Sequence, residues 1–306
     1  MDIWKSEVWK DKYKDHNVRK GLRLKFDRGI DEKLKTGFKE YCRWLRSEYT
    51  FPIRVPVYVK NFKKIKAMDG EYVFGTFLGP FNFLEEPYVR VAAGDFKESF
   101  EEMGEQAVYQ YLCTLTHELT HYFQWLNNSE LTQIGKERQA TITADRIVQR
   151  YVDAKYEEKQ QFLHKLEQSA KRREINEAEI DKLRKIAFED DVNNKILIAR
   201  ILEESKLIES EKILLHLTKD IDDVVRMETC NALSNSDSLE VYEALKGIAS
   251  KDSVGMVRGY AIVALGDVAV EINKEKEATK FLKNLLKREK NEENTLCFYL
   301  KRMYML

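Results

Sequence analysis

Apolar residues recur at helical spacing along residues 31–49. Leu34, Phe38, Tyr41, Leu45 and Tyr49 fall on one face, which predicts an amphipathic helix. Three extended runs follow. "FPIRVPVYV" (51–59) alternates and is β-branched, "EYVFGTFLG" (71–79) is aromatic with glycine punctuation, and "EPYVRVAAG" (86–94) alternates from Pro87 onward. The proline and the alternating face of the last run fit an edge strand. Helical periodicity returns from Gln106 to Asn127, and a polar turn, "NNSELTQIG", leads into a further helix over residues 136–156. All four prolines lie between residues 52 and 87, and no glycine occurs between Gly135 and Gly247, so turn-rich structure gives way to helix. The charged stretch 157–181 reads as a solvated helix or linker.

Beyond it the pattern repeats. "LRKIAFEDDVNNKILIARIL" (183–202), "LLHLTKDIDDVVRMETCNAL" (214–233) and "LKGIASKDSVGMVRGYAIVAL" (245–265) superpose with a period of about 31–33 residues, with a weaker fourth copy from residue 282. Each unit is an apolar helix, an acidic turn and a second helix, with Ala199, Ala232 and Ala264 at matching places. Such a pair cannot bury its own apolar face, so neighbours must stack into a solenoid. "DDVVRMETCNAL" and "SVGMVRGYAIVAL" resemble HEAT repeats, in which Asp after the first helix caps the second and Val-Arg opens it.

Composition narrows the class. A 306-residue chain with 43% apolar residues can bury a sizeable core, and its length suggests about two domains. Lys plus Arg and Asp plus Glu number 52 each, so no global field draws it to nucleic acid or an anionic membrane. Locally the balance breaks: residues 1–66 carry 19 basic and 9 acidic side chains, residues 67–158 carry 7 and 16. Trp4, Trp9 and Trp44 interleave with the basic residues and could stack on bases. Scattered charges of both signs are more often a solvated face, so nucleic acid is not an expected partner. No segment reaches the ~18 apolar residues of a membrane span, and the N-terminus lacks the apolar run of a signal peptide, so a cytoplasmic location is expected. Cys42, Cys113, Cys230 and Cys297 are widely spread and read as reduced, mostly buried thiols.

The candidate chemistry lies in "LTHELTHYFQWLNN" (115–128). In a helix of 3.6 residues per turn, His117 and His121 lie one above the other and can reach one ion, while Glu118 sits about 100° away and can act on water without being a ligand. A chance HExxH is expected in roughly one in a hundred such chains. Leu115, Leu119, Tyr122 and Trp125 form the helix's core face. A zinc site needs a third ligand and leaves the fourth position to water. The next helix offers Glu137 and Asp145, the latter better placed to orient a ligand histidine. His16, His164 and His216 lie in a basic segment, the charged stretch and a repeat helix, and compete poorly. Tyr151 and Arg146 are available as oxyanion donors, without a feature that selects either.

"THELTHYFQW" followed by "ERQATITADRIVQRY" resembles the gluzincin pattern, most like peptidases of the ImmA/IrrE type. The preceding helix and strands are similar to the minimal zincin core shared with SprT-like proteases. The resemblance implies zinc held by His117, His121 and Glu137, with Glu118 as general base, and a substrate lying extended along an edge strand beside the metal, a role open to residues 86–94. The family's usual glutamate before the alanine is Gln139 here. The expected architecture is an α+β zincin-like domain (1–156), a charged helical linker (157–181) and an all-α HEAT-like solenoid (182–306). The expected function is a zinc metallopeptidase acting on an intracellular protein or peptide substrate, with a possible protein partner on the repeats. The alternative is a helical-repeat adaptor with a structural or vestigial zinc site.

Overall fold

The structure is a computed structural model that describes residues 2–10, 19–68, 70–82, 85–170, 175–189, 191–203, 205 and 207–288. The chain forms two compact units, Met1–Glu157 and Glu158–Leu306. His16, Cys297 and the end of the weak fourth repeat lie outside the described residues.

In the first unit, strand β1 (Leu22–Phe26) precedes helix α1 (Glu32–Glu48). Asp31 caps α1 by accepting from the Lys33 N–H, and Leu34, Phe38, Tyr41, Cys42 and Leu45 are its buried face. Strands β2 (Val55–Lys60), β3 (Ile65–Lys66), β4 (Tyr72–Val73), β5 (Gly75–Leu78) and β6 (Tyr88–Ala92) follow, then helices α2 (Phe96–Met103), α3 (Glu105–Leu126) and α4 (Gln133–Ala170). The main sheet has the order β1-β2-β6-β5. The first three of these strands are parallel, and β5 returns antiparallel on β6. β3 and β4 form a separate antiparallel hairpin. Val57, Val59, Val89 and Val91 are fully buried in a core shared with α1 and α3.

Three expectations need correction. β1 was not among the expected strands: "LRLKF" alternates, but its polar positions are Arg and Lys, and it reads as part of a basic segment. With β2 on one side and β5 on the other, residues 88–92 are an interior strand, and the edge beside α3 is Gly75–Leu78. The helix expected to end near 156 continues to Ala170, because no proline or glycine interrupts it and Leu163 and Leu166 enter the second core. The described part of 157–181 is thus helical, as one of the two readings had it: it is the end of α4 and the start of the next helix.

The second unit stacks α5 (Glu177–Ala187), α6 (Val192–Leu202), α7 (Ile208–Leu217), α8 (Asp223–Ala232), α9 (Leu239–Lys251), α10 (Gly255–Glu271) and α11 (Glu275–Arg288) around one apolar core. Ala199, Ala232 and Ala264 are all buried there, as their matching positions require. Acidic turns join the pairs. Asp191 caps α6 and Asp222 caps α8, while Asp252 Oδ1 accepts from the Val254 N–H just ahead of α10. The same turns carry an ionic ladder between successive layers: Lys159 to Glu189 at 2.6 Å, Lys195 to Asp220 at 2.7 Å, and Arg226 to Asp252 through two contacts of 2.9 and 3.1 Å. Arg226 also donates to the Asp220 and Ile221 carbonyls, so one guanidinium ties two turns together.

Both members of the last rung are nearly buried, at 11% and 10% side-chain exposure. Removing one partner leaves the other uncompensated, so Asp252→Ala should cost about 2–4 kcal/mol, read as a lower urea midpoint of the second unit. The rung below it is acid-sensitive. Burial alone would raise Asp220, but the Lys195 ammonium and the Asp222 N–H outweigh it and hold the carboxyl below its ordinary value of 3.8. That contribution is present above pH 3.8 and is lost as the pH falls through the lowered value. Asp220→Asn should therefore be less stable than the parent at pH 6, and the gap should close in acid; parallel stability curves would contradict the assignment.

Candidate metal centre

Helix α3 is buried along its back. Leu115, Leu119, Tyr122 and Phe123 are buried there, and buried hydroxyls find specific partners. Tyr41 Oη meets Thr116 Oγ1 at 2.6 Å, Trp4 Nε1 donates to Thr120 Oγ1 at 3.0 Å, and Tyr122 Oη donates to the Ile53 carbonyl at 2.8 Å. This seating turns the opposite face, with His117, Glu118 and His121, into a cleft of about 1030 Å3 between α3, α4, β5 and the β3–β4 hairpin.

There the side chains of His117, His121 and Glu137 converge. The two Nε2 atoms are 3.1 Å apart, and Glu137 Oε2 lies 3.2 Å from His117 Nε2 and 3.5 Å from His121 Nε2. Four ligands at the usual zinc distances of about 2.0–2.1 Å stand about 3.3–3.4 Å apart at the corners of a tetrahedron. The three atoms thus form a triangle of the size of one face of that tetrahedron. Among the described residues these three are the group of His, Cys, Asp and Glu side chains able to share an ion.

Supporting contacts fix the tautomer and the aim. His121 Nδ1 donates to Gln124 Oε1 at 2.8 Å, which leaves Nε2 as the lone-pair nitrogen. Gln124 is itself buried, and its amide donates to the Lys136 carbonyl and to Gln139 Oε1, both at 2.9 Å. Gln139 is thus joined through Gln124 to His121. Glu137 Oε1 accepts from Gln133 at 2.9 Å, leaving Oε2 for the histidines. The His117 imidazole is held below its ordinary pKa by burial and by His121, against the pull of Glu137, so it favours the neutral form that a metal ligand needs.

Glu118 is buried at 8% exposure and is not one of the converging ligands. Burial first, and the Glu137 charge second, push its carboxyl up to about 8. The edge strand runs close against it. A Cβ at Gly75 would lie 2.7 Å from Glu118 Oε1, and one at Gly79 would lie 2.5 Å from Trp125 Cδ1. These two glycines explain the punctuation of "EYVFGTFLG": each lets β5 approach α3.

Other candidates go elsewhere. Asp145 lines the cleft, but it accepts from Tyr109 Oη at 2.8 Å and is not one of the converging ligands. Tyr151 is buried against Tyr41 and Trp44, and Arg146 pairs with Asp2, so neither lines the cleft. His164 bonds Gln168, and His216 packs on Phe188. Cys113 is half-buried at the cleft wall, its thiol pushed up to about 11 by burial and by the Asp145 charge, while Cys42 and Cys230 are buried and free. Gln124 was missed in the sequence, where it carries no signal beyond helical spacing from His121, and Gln139 was noted only as a departure from the resembled pattern, not as a partner of Gln124.

Residues 180–266 match the family of HEAT repeats. No curated protein and no solved structure matched the chain. HEAT repeats stack helical pairs into extended surfaces that commonly mediate protein interactions. No helix among the described residues is long and apolar enough to cross a membrane.

The glycine contacts separate two kinds of damage. Gly79→Ala drives a Cβ into an indole fixed by its own bond to the Pro80 carbonyl, so it should destabilise the first unit by about 1–3 kcal/mol and shift tryptophan fluorescence. Gly75→Ala meets the unbranched Glu118 side chain rather than a rigid ring, so it should cost less; equal losses in thermal unfolding would contradict this contrast.

Proposed function

We propose that the first unit is a zinc-dependent peptidase and that the HEAT repeats bring a protein partner or substrate to it. The reading rests on one observation, the triangle of His117 Nε2, His121 Nε2 and Glu137 Oε2, whose edges of 3.1, 3.2 and 3.5 Å suit one face of a tetrahedral zinc site. The donor set suits zinc in chemistry as well, with two neutral imidazoles and one carboxylate. Zinc bound there would supply Lewis acidity to water and to a peptide carbonyl.

The chain's own residues then have distinct tasks. His117, His121 and Glu137 hold the ion, and the Gln124 and Gln133 amides keep His121 and Glu137 aimed at it. Glu118, one helix position from His117, accepts a proton from attacking water at its carboxylate and returns it to the leaving amine. A carboxyl held at about 8 is mostly protonated at neutral pH in the metal-free protein; a neighbouring dication favours its ionised form. The β5 edge, in place of residues 86–94, would hold an extended peptide by backbone hydrogen bonds. Met68 and Phe74 are exposed and line the same cleft, which suits apolar side chains of a substrate.

The adaptor reading, with a closed structural site, would want a fourth protein ligand. Asp145 was the candidate for that place, and its bond to Tyr109 together with the open cleft favours the peptidase.

The test is metal analysis of protein purified without added zinc, combined with proteolysis of an unfolded protein substrate. The parent should carry close to one zinc per chain. Glu137→Ala should lose most of it, and Glu118→Gln should keep it while proteolysis falls by at least about a thousandfold. Undiminished zinc in Glu137→Ala removes the third ligand, and full proteolysis by Glu118→Gln removes the mechanism. Gln124→Leu should weaken zinc affinity by roughly 10–100-fold, measured by competition with a chromogenic chelator, with Glu118 untouched.

A further inference from the structure

On the far edge of the main sheet, away from β5, a groove of about 900 Å3 lies between β1 and helix α1. Seven of its eleven lining residues are Lys or Arg and none is acidic, so the groove suits an anionic ligand. Arg19 and Arg54 are partly neutralised by Glu86, which each contacts at 2.8 Å. Lys20, Arg23 and Arg43 form no ion pair among the described residues.

The backbone of β1 supplies the second half of the site. Gly21 and Asp27 turn their backbone groups towards β2: the Gly21 N–H donates to Phe51, the Gly21 carbonyl accepts from Val55, and the Asp27 N–H donates to Val59. With a period of two, Leu22, Leu24 and Phe26 turn theirs to the open edge. Among the described residues, Arg46 donates to the Leu22 carbonyl at 3.3 Å, and the Leu24 and Phe26 groups have no partner. Helix α1 runs beside this edge in the opposite direction, since Arg46 meets Leu22 at one end and Phe38 stacks on Phe26 at the other. Lys39, Arg43 and Arg46 therefore form a ridge parallel to the free edge. Positions four apart on a helix are separated by about 6 Å, and alternate side chains on a strand by about 6.7 Å.

We propose that this groove binds an extended acidic segment of a partner protein, which adds to the free edge of β1 as a fifth strand and sets alternate carboxylates against the α1 bases. Backbone pairing supplies a strand's worth of hydrogen bonds, and the bases select for acidic side chains. Nucleic acid fits less well. Stacking needs free aromatic faces, but Phe26 is stacked on Phe38, Trp44 packs among Tyr41, Tyr49 and Tyr151, and Trp4 is buried against Phe123. Trp9 is partly buried against the same core, so the interleaved tryptophans of the basic segment pack on the core. The inference is independent of the metal centre.

The test uses the full chain and three fluorescent probes in anisotropy titrations at low salt: a short peptide alternating Asp and Thr, the same peptide N-methylated at every second residue, and single-stranded oligothymidine. The alternating peptide should bind, and N-methylation on the pairing edge should weaken it at least about tenfold, because it removes the donors and keeps the charge. Lys39→Glu with Arg43→Glu, both on the exposed face of α1, should weaken it by a similar factor with thermal unfolding unchanged. Equal binding of the N-methylated peptide would overturn strand addition. Tighter binding of the oligonucleotide, lost in the same double variant, would make the groove a nucleic-acid site instead, and failure of the alternating peptide to bind would end the proposal.

Discussion

The rotation of helix α3 about its own axis is the constraint on which the first unit depends. Buried hydroxyls and an indole N–H cost about 1–3 kcal/mol each when left unpaired, and α3 meets several at once: Tyr41 with Thr116, Trp4 with Thr120, and Tyr122 with both the carbonyl and the N–H of Ile53. Turning the helix by one residue, about 100°, would break all of these and carry His117 into the core. Apolar packing alone would tolerate small rotations, because Leu and Phe contacts are not directional. The polar contacts do not, and so the direction of the two imidazoles is set by atoms on the other side of the helix.

The same logic governs how the cleft is closed in around the site. An antiparallel edge strand packs close against α3 where side chains are absent, and Gly75 and Gly79, at the start of the strand and just past its end, provide that opposite Glu118 and Trp125. On the other side, α4 is held by the buried Gln124 amide, which reaches the Lys136 carbonyl and Gln139 while its oxygen accepts from His121. Both Gln124 amide hydrogens and its oxygen are engaged, and turning the amide would lose all three contacts, so the position of α4, and with it Glu137, is coupled to the orientation of His121.

How much of this was legible in the sequence follows from how local each feature is. The pairing of His117 with His121 is helical geometry and nothing more, and the sixteen residues from His121 to Glu137 allow a turn and a return of the chain. The repeats were legible because each copy restates the same capping and packing problem, with an acidic turn and a buried alanine. Strand order was not, because it depends on contacts between distant segments. "LRLKF" carries Arg and Lys on its open face and gives a weak strand signal, while the proline and alternation of residues 86–94 suggested an edge because neither reports the β2 and β5 neighbours on its two sides. The length of α4 was hidden for a different reason: Leu163 and Leu166 are two apolar residues in a highly charged stretch, and only a second core gives them a place to be buried.

Electrostatics link the site's burial to the chemistry proposed for it. Around the cleft stand Glu118, Glu137 and Asp145, and the His117 ring among them is biased to neutrality. A buried carboxyl beside another carboxylate answers by holding its proton, as Glu118 does. The proton can leave without a large cost only if positive charge enters, and an ion bound at the His117, His121 and Glu137 triangle is placed to provide it. With an ion held there, as proposed, the carboxyl that is otherwise a neutral acid at pH 7 would ionise and could serve as a base. Under that proposal burial would serve both ends: it would limit the screening of charge by water, and it would make the ionisation of Glu118 depend on the ion.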